Sequence, residues 1–310
     1  MEGQTEESTP RAEAQASADN ILKRGKTFND PIHGQVELHP VCICIIDTPQ
    51  FQRLRHIKQL DTCYLVYPGA SHNRFEHSIG VCYLAGKLLK TIRDRQLNVD
   101  ISDEDILCVE IAGLCHDLGQ GPFSHVFEKR FMPKMKKEFT HESIARQMFD
   151  YMLKSENEKL KNDIKRRVEE CGLRRFEEQD FTFILEMIDD PKDIENDEWP
   201  YKGRTEDKSY MYEIVANKRN GIDVDKWDYL ARDSYMLGMK VNIDYNRCFK
   251  SARVIKCNGI NGRQDANAGL NTGNSQVKRN QICYRDKVSN CHKHLSSKCK
   301  QYFLNVCIFH

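Results

Sequence analysis

Apolar residues recur at intervals of three and four along much of the chain, which is the spacing of one buried face of an α-helix. Six stretches show this pattern: residues 51–58, 79–89, 106–118, 142–153, 163–170 and 181–188. Polar residues fill the intervening positions, as expected for helices that pack against one another. The pattern predicts a mainly α fold, a helical bundle with minor short β-strands.

Two other patterns interrupt the helical ones. The β-branched run from Val41 to Ile46 is typical of a short strand, and it follows the turn-forming residues from Asn29 to Gly34. The stretch from Trp199 to Arg204 contains proline and glycine and is predicted to be a loop.

The two ends of the chain lack helical periodicity. Residues 1–25 are rich in Glu, Gln, Ser, Thr and Ala, which is typical of a disordered segment. Asparagine and glycine dominate from residue 258 to residue 280, as in a linker. We therefore predict one folded domain over residues 26–257 and a divergent, disordered tail over residues 258–310. That tail is basic, with eight Lys or Arg residues and two Asp.

Composition narrows the class of protein. The chain has 310 residues, of which 39% are hydrophobic, so it can bury a sizeable core. Charge is balanced, with 47 basic and 46 acidic residues, and implies no polyanionic partner for the whole chain. The basic tail leaves single-stranded nucleic acid open as a partner. The cluster Cys291, His292, His294 and Cys299 matches no common zinc-finger spacing, which favours a disordered end over a zinc site.

Cysteine usage and hydropathy bear on localisation. The 13 cysteines include no CxxC pair and are scattered through apolar runs, which favours a reduced compartment. No apolar run approaches the roughly 18 residues that a bilayer span requires. We expect a nuclear or cytoplasmic protein that is not secreted and has no membrane partner. The run Lys23 to Lys26 could be a short nuclear signal or a solvated flank.

One apolar helix is predicted to end on two metal-ligand residue types. Ile111, Leu114 and Leu118 lie on one helical stripe, and His116 and Asp117 come just before Gly119, Gly121 and Pro122, which end a helix. Adjacent helical positions do not share a face, so one ion bound by both would need further ligands.

Further ligands can be proposed from two other segments. Arg74 and His77 stand three residues apart and would share a helical face, which brings a cation for phosphate next to an imidazole for metal. Asp225, Tyr229 and Asp233 follow one another at steps of four, and one of these carboxylates could complete the site.

The order His, then His-Asp, then Asp resembles the HD-domain metal-dependent phosphohydrolases. The similarity extends to the deoxynucleoside triphosphate triphosphohydrolases that carry a SAM domain and an HD domain. It is carried by NDPIHG at 29–34, IIDTPQFQRLR at 45–55, PGASHNRFEHS at 68–78, IAGLCHDLG at 111–119, GPFSH at 121–125, WPYKGR at 199–204 and NKRNGIDVDKWDY at 217–229. The resemblance covers about residues 26–256 and returns briefly at 280–287.

The resemblance implies a metal centre and an acid-base group. Its metal ligands would be His77, His116, Asp117 and Asp225, holding a divalent ion such as Fe, Mn or Zn, with Mg accompanying the nucleotide. His125 would donate a proton to the leaving nucleoside, with Glu128 to orient or tune it, and His141 belongs to a second such pair.

One position departs from the family pattern. The family has a histidine where this chain has Gln120. Glutamine can hydrogen-bond a phosphate oxygen, but it cannot carry a proton at neutral pH. We therefore expect lower activity than in the family.

The resemblance also implies nucleotide contacts. Arg74 and Lys226 would bind phosphates, Gln59 and Asp233 would hold the sugar 3′-hydroxyl, and Leu60 and Tyr229 would pack near the sugar edge. The regulatory nucleotide pockets would include Lys26, Asn29, Asp47, Gln52 and Arg55, with Asp47 recognising guanine.

Three functions follow from these features as hypotheses. The first is a dNTP triphosphohydrolase that is activated by GTP and dNTP through homo-oligomer assembly. The second is a truncated form, without the SAM domain and the C-terminal region, that binds nucleotide, nucleic acid or full-length subunits without turnover. The third is a phosphodiesterase acting on nucleic acid ends, which only the basic tail supports independently.

Overall fold

The computed structural model of the protein describes residues 25–190, 199–240, 244–258 and 278–284. Strands and helices follow one another as β1 Lys26–Asp30, β2 Gly34–Leu38, α1 Pro40–Ile46, α2 Pro49–Gln52, α3 Arg74–Arg95, α4 Asp103–Cys115, α5 Met132–Lys134, α6 His141–Glu170, α7 Glu178–Ile188, α8 Val224–Met236, α9 Tyr245–Ser251, β3 Ala252–Asn258 and β4 Lys278–Tyr284. Short 3₁₀ helices lie at Arg53–His56, Cys63–Leu65 and Glu206–Glu213, and a π-helical turn lies at Phe127–Phe131. The predicted mainly helical fold is confirmed.

Two helices, α3 and α4, form the centre of the core. Each begins with a reciprocal cap: Asn73 pairs with Glu76 at the start of α3, and Ser102 pairs with Asp105 at the start of α4. Helix α3 packs against α4 on one side and α8 on another. Helix α4 ends at Cys115 and His116 caps it, so the prediction that this helix ends at the His-Asp pair is confirmed.

The predicted strand from Val41 to Ile46 is wrong, because these residues form α1. Pro40 occupies the first helical turn and the side chain of His39 accepts a hydrogen bond from Val41 N, so the helix start is set locally. The buried residues Val41, Cys42 and Ile45 then lie on one helical face. Packing of that face outweighs the weak β preference of the branched side chains.

The predicted turn at residues 29–34 joins two strands that the sequence pattern did not indicate. Strands β1 and β2 pair antiparallel, with Asp30 opposite Gly34. Gly34 has a φ of 74°, which glycine adopts without strain. The Asp30 carboxylate accepts hydrogen bonds from the backbone of Ile32 and His33, at 2.8 and 2.9 Å. This turn is therefore held in one conformation.

Part of the segment predicted as a disordered tail is ordered. Strand β4 pairs antiparallel with β3, with Ile282 opposite Val254 and Lys278 opposite Asn258. The reason is that β4 also binds the preceding chain, since Glu213 accepts a hydrogen bond from Ile282 N at 3.0 Å. Residues 1–24 and the Cys-His cluster at 291–299 lie outside the described residues.

Helix α6 joins two stretches that the sequence pattern treats as separate helices. Backbone angles leave the helical range from Ser155 to Glu158, and Glu156, Asn157 and Glu158 have φ values of 47°, 56° and 58°. The two predicted helical stretches are therefore present, one on each side of this interruption. Within the part of the chain that the structure describes, no helix combines the length and the apolar character that crossing a membrane demands.

The cap of α1 generates a prediction about pH. Burial, followed by the charge of Lys90, lowers the pKa of His39 to about 4. The unfolded chain, with an ordinary histidine pKa, then binds more protons between pH 6.5 and pH 4, so acid removes stability that is present at neutral pH. His39→Asn keeps a capping side chain without that titration. Between pH 7 and pH 5 we expect the parent to lose about 2 kcal/mol more unfolding free energy than the variant, as measured by denaturant titration. Equal losses would contradict the prediction.

Candidate active site

The four predicted metal ligands lie at the ends of three helices. His77 is in the first turn of α3, His116 and Asp117 follow the end of α4, and Asp225 is in the first turn of α8. The side chain of Asp223 caps α8 by accepting a hydrogen bond from Lys226 N, which fixes where that helix begins. Residues about 150 positions apart in the sequence are thus brought to one place by the packing of α3 against α4 and α8.

The ligand atoms lie at distances that suit one ion. Nε2 of His77 is 3.0 Å from Oδ1 of Asp225 and 3.5 Å from Oδ2 of Asp117. Nε2 of His116 is 3.4 Å from the same Asp225 oxygen and 3.7 Å from the same Asp117 oxygen. Donors at bond lengths of about 2.0–2.2 Å around one cation are separated by similar distances.

The tautomers of both histidines suit metal binding. Nδ1 of His77 donates to Oδ2 of Asp228 at 2.7 Å, and Nδ1 of His116 donates to the carbonyl oxygen of Gly113 at 2.7 Å. These bonds direct Nε2 of each ring toward the carboxylates. Both Nε2 atoms are buried without a properly oriented hydrogen bond to any described residue. Two buried, unpartnered ring nitrogens that face two carboxylates fit a divalent metal ion.

The electrostatics of the site point the same way. Burial lowers the pKa of His77, but the neighbouring carboxylates of Asp225 and Asp228 outweigh it and raise the pKa to about 10. Burial opposes ionisation of Asp117, yet Arg74 and the neighbouring histidines hold its pKa well below the usual range. The negative charge that favours a proton on His77 equally favours a divalent cation, so the two would compete for Nε2.

Arg74 and Gln120 hold Asp117 from two sides. Nη1 of Arg74 donates to Oδ2 of Asp117 at 2.7 Å, while its Nε donates to Ser124 Oγ at 3.0 Å. Nε2 of Gln120 donates to Oδ1 of Asp117 at 3.0 Å. Gln120 is 1% exposed, and its Oε1 has no hydrogen-bond partner among the described residues. The amide therefore orients a predicted metal ligand.

The acid-base residues form a pairing that differs from the sequence expectation. Glu128 accepts a hydrogen bond from Nδ1 of His141 at 2.8 Å and does not pair with His125 as expected. The ring centres of His125 and His141 lie 6.3 Å apart. Nε2 of His141 is 4.0 Å from Oδ1 of Asp117, so this ring faces the metal ligands. The three-residue spacing of His125 and Glu128 did not reveal this pair, whose members are 13 positions apart.

The two histidines have opposite pKa shifts. Partial burial, followed by the charges of Arg74, Lys129 and His141, lowers the pKa of His125 to about 4. Burial also lowers the pKa of His141, but its hydrogen bond to Glu128 and the charge of Asp117 outweigh this and raise it. Two neighbouring groups whose environments separate their pKa values are suited to opposite acid-base roles.

The predicted substrate residues border the metal ligands on two segments. Lys226, Tyr229 and Asp233 continue α8 beyond Asp225, and the amine of Lys226 donates to the Gly221 carbonyl. Gln59 and Leu60 lie before α3, and Gln59 N donates to the carbonyl oxygen of His72 at 3.0 Å. Gln59 is 4% exposed and its Oε1 is without a partner among the described residues.

The predicted regulatory residues fall in two regions, strand β1 and the segment from the end of α1 to Arg55. Lys26 and Asn29 are exposed on β1. Asp47 caps the end of α1, and Gln52 in α2 donates to the Ile46 carbonyl oxygen at 2.7 Å and accepts from Arg55 Nε at 2.8 Å. The structure thus brings Asp47, Gln52 and Arg55 to one surface.

Several residues at the site were missed by sequence reasoning. Asp228 bonds to His77, and Nε2 of His72 is 2.6 Å from Oδ1 of Asp233. Both pairs join residues more than 150 positions apart, which no local pattern reveals. The spacing of Asp228 and Arg232, four apart on one helix, was the available signal for a buried ion pair.

A sequence model of the HD domain matches residues 74–233, which is more than half of the chain. The match begins with Arg74 at the start of α3 and ends with Asp233 near the end of α8, so it contains all four candidate ligands.

Several curated relatives share the name SAMHD1. The deoxynucleoside triphosphate triphosphohydrolase SAMHD1 of Xenopus laevis is 56% identical over 241 residues, and that of Homo sapiens is 56% identical over 233 residues. Each alignment covers 74% of this chain, and the relatives are covered over 37% and 36% of their lengths. A homolog from Dictyostelium discoideum is 40% identical over 235 residues, 75% of this chain and 40% of its own length. This chain thus spans little more than a third of the vertebrate relatives. The chain belongs to the HD-domain family, and within it resembles the SAMHD1 proteins.

Proposed function

We propose that this protein is a metal-dependent hydrolase that cleaves a dNTP to a deoxynucleoside and triphosphate. The observation that carries the proposal is the convergence of His77, His116, Asp117 and Asp225 on one point, next to a buried arginine. The printed names of the relatives support the reaction and the substrate class. A bound Fe, Mn or Zn ion would neutralise charge on the phosphoryl group and activate water for attack.

Arg74 would position the phosphates. The residue is 5% exposed, and its Nε and Nη1 donate to Ser124 and Asp117. This holds the planar group still and leaves Nη2 without a hydrogen bond to any described side chain. A fixed arginine matches phosphate geometry well. Lys226, one residue after Asp225, would add a second cation, and Mg would accompany the nucleotide.

His141 and His125 would handle the proton that the leaving nucleoside needs. We infer that His141 carries a proton in the free protein, because Glu128 and Asp117 raise its pKa. His125 is neutral there, and the negative charge of a bound triphosphate would raise its pKa and let it gain a proton. The pair would then supply a proton to the leaving oxygen from within the site.

The deoxyribose would lie against the segment around Gln59 and the later turns of α8. Gln59 offers a buried, unpartnered carbonyl oxygen. Asp233 is fixed by His72 at 2.6 Å and keeps a second oxygen for a sugar hydroxyl. Leu60 and Tyr229 are half-buried and would line the sugar edge.

We further propose that GTP or dNTP regulates the reaction. Asp47, Gln52 and Arg55 form one surface, with Lys26 and Asn29 on β1, and their charges suit a guanine base and a triphosphate. Assembly into homo-oligomers would bring such surfaces together from several subunits.

A second function is favoured by Gln120. The side-chain amide of Gln120 donates a hydrogen bond to Oδ1 of Asp117 at 3.0 Å, inside the site. An amide cannot transfer a proton at neutral pH. A form with reduced turnover would still bind nucleotide and could act on the activity of full-length subunits. The two functions differ in whether purified protein releases triphosphate.

Hydrolysis should depend on the four ligands. With Mn²⁺, dGTP and GTP, we expect triphosphate release that EDTA abolishes, and Asp225→Asn should lower it at least about 100-fold, because the variant loses a charged ligand. Asp94→Asn, an exposed residue on α3, is the matched control and should be unaffected. Release that persists in EDTA would contradict a metal-dependent reaction.

Restoring an imidazole at position 120 should increase turnover. We expect Gln120→His to raise kcat by about 10-fold or more, since an acid-base group contributes about 10² to 10⁴ in rate. Gln147→His, on the exposed side of α6, is the control. If kcat is unchanged or lower, Gln120 orients Asp117 without a loss of acid-base function.

Substitutions of His141 and Glu128 should lower kcat more than they change KM. His141→Gln is expected to lower kcat about 100-fold, and Glu128→Gln about 10-fold, because Glu128 only holds the ring of His141. Glu138→Gln, on an exposed position, is the control. A Glu128→Gln effect confined to KM would contradict this role.

A further inference from the structure

A buried carboxylate, Asp228, lies directly behind the metal ligand His77. Its side chain is 0% exposed, and Oδ2 accepts the Nδ1–H of His77 at 2.7 Å. Its other oxygen, Oδ1, is 2.6 Å from Nε2 of His33. Arg232 donates to both oxygens, at 2.9 and 2.8 Å. Every lone-pair direction of this carboxylate is therefore used, and it can rotate little.

His33 brings the β1–β2 turn into this network. It follows Asp30 by three residues, and Asp30 accepts the backbone N–H of His33 at 2.9 Å while its other oxygen binds Arg232 at 2.8 Å. The other ring nitrogen of His33 is 3.0 Å from the hydroxyl of Tyr245 in α9. Hydrogen bonds to its backbone thus fix the turn. The side chain of His33 extends from it to Asp228 and is 0% exposed.

Gly80 leaves the space on α3 that this network occupies. A Cβ at Gly80, one turn after His77 on α3, would lie 1.9 Å from Oδ1 of Asp228 and 2.6 Å from Nη2 of Arg232. Only glycine lets α8 approach α3 closely enough for Asp228 to reach His77. The hydrogen bond from Nδ1 of His77 to Asp228 therefore depends on the close approach of α3 and α8.

We propose that His33 is a positioning residue for the metal centre, acting through Asp228 on the ring of His77. Its hydrogen bond to Oδ1 keeps Oδ2 directed at Nδ1, which fixes the ring and makes Nε2 a stronger ligand. The proposal rests on the proposed function only in requiring that a divalent cation binds at His77. Through His33 and Asp228, the β1–β2 turn thus supports the metal centre.

The test measures metal affinity directly and needs no substrate. Full-length protein is stripped of metal, and the Kd for Mn²⁺ is determined by competition with a chelator. We expect His33→Ala to raise that Kd about 10-fold, within the range seen for loss of groups behind a ligand. His33→Gln can still donate a hydrogen bond to Asp228 and should restore most of the affinity. His56→Ala, an exposed histidine on a neighbouring turn, should bind like the parent.

A merely structural role predicts another result. His33→Ala would then lower the thermal stability of the metal-free protein but leave the Kd of its folded fraction unchanged, and this outcome would overturn the proposal. The absorption spectrum of the Co²⁺ protein gives a second readout, because a freed His77 ring changes the ligand geometry.

A milder variant tests the proposal if His33→Ala does not fold. Tyr245→Phe removes only the hydroxyl that contacts His33, and it should raise the Mn²⁺ Kd about two- to five-fold. Where His33→Ala does not fold, an unchanged Kd in folded Tyr245→Phe overturns the proposal. A parent that binds Mn²⁺ at this site but releases no triphosphate would overturn the proposed function alone, whereas a parent that binds no divalent metal overturns both.

Discussion

The contact between α3 and α8 depends on the Asp228 carboxylate, which accepts a hydrogen bond from His77 on α3 and pairs with Arg232 on its own helix, without access to solvent. Gly80 permits this contact, since any larger residue there would meet the Asp228 carboxylate. The contact sets the distance from His77 to Asp225, and hence the geometry of the ligand set. A single close helix approach is thus the condition for the candidate metal centre, whose predicted ligands come from three separate segments.

Burying these charges costs stability that apolar residues of similar volume would not cost. Desolvation of each ion costs several kcal/mol, and the attraction between partners recovers it only with good geometry. Arg232 is 0% exposed and contacts both Asp228 and Asp30. A second buried group of charges, Asp105 with Arg204 and Lys208, ties the start of α4 to the chain before α8. We infer that the first network is kept for ligand placement, because a hydrophobic pair could hold α3 and α8 together but could not orient His77.

The sequence was most informative where one residue type decides the local structure. Periodic apolar residues predicted the main helices, and glycine and proline after Asp117 predicted where α4 stops. The four candidate ligands came from resemblance to a family, and the structure places Nε2 of each histidine 3.0–3.7 Å from an oxygen of each aspartate. Local β preference failed for Val41–Ile46 because a proline and a cap start the helix there. Glu128 was expected beside His125, and its pairing with His141 depends on the path of the intervening chain, which residue spacing does not encode.

The β3–β4 pair has a consequence for how this chain can vary in length. Asn258 and Lys278 are opposite each other, so the chain leaves the sheet and returns to it at neighbouring positions. Extending a connection whose two ends are already joined costs little entropy, about 0.6 kcal/mol for each doubling of its length. Sequence inserted between these strands therefore leaves the helices of the HD centre undisturbed. This hairpin is a natural point for related proteins to gain or lose residues, or for a reporter domain to be inserted.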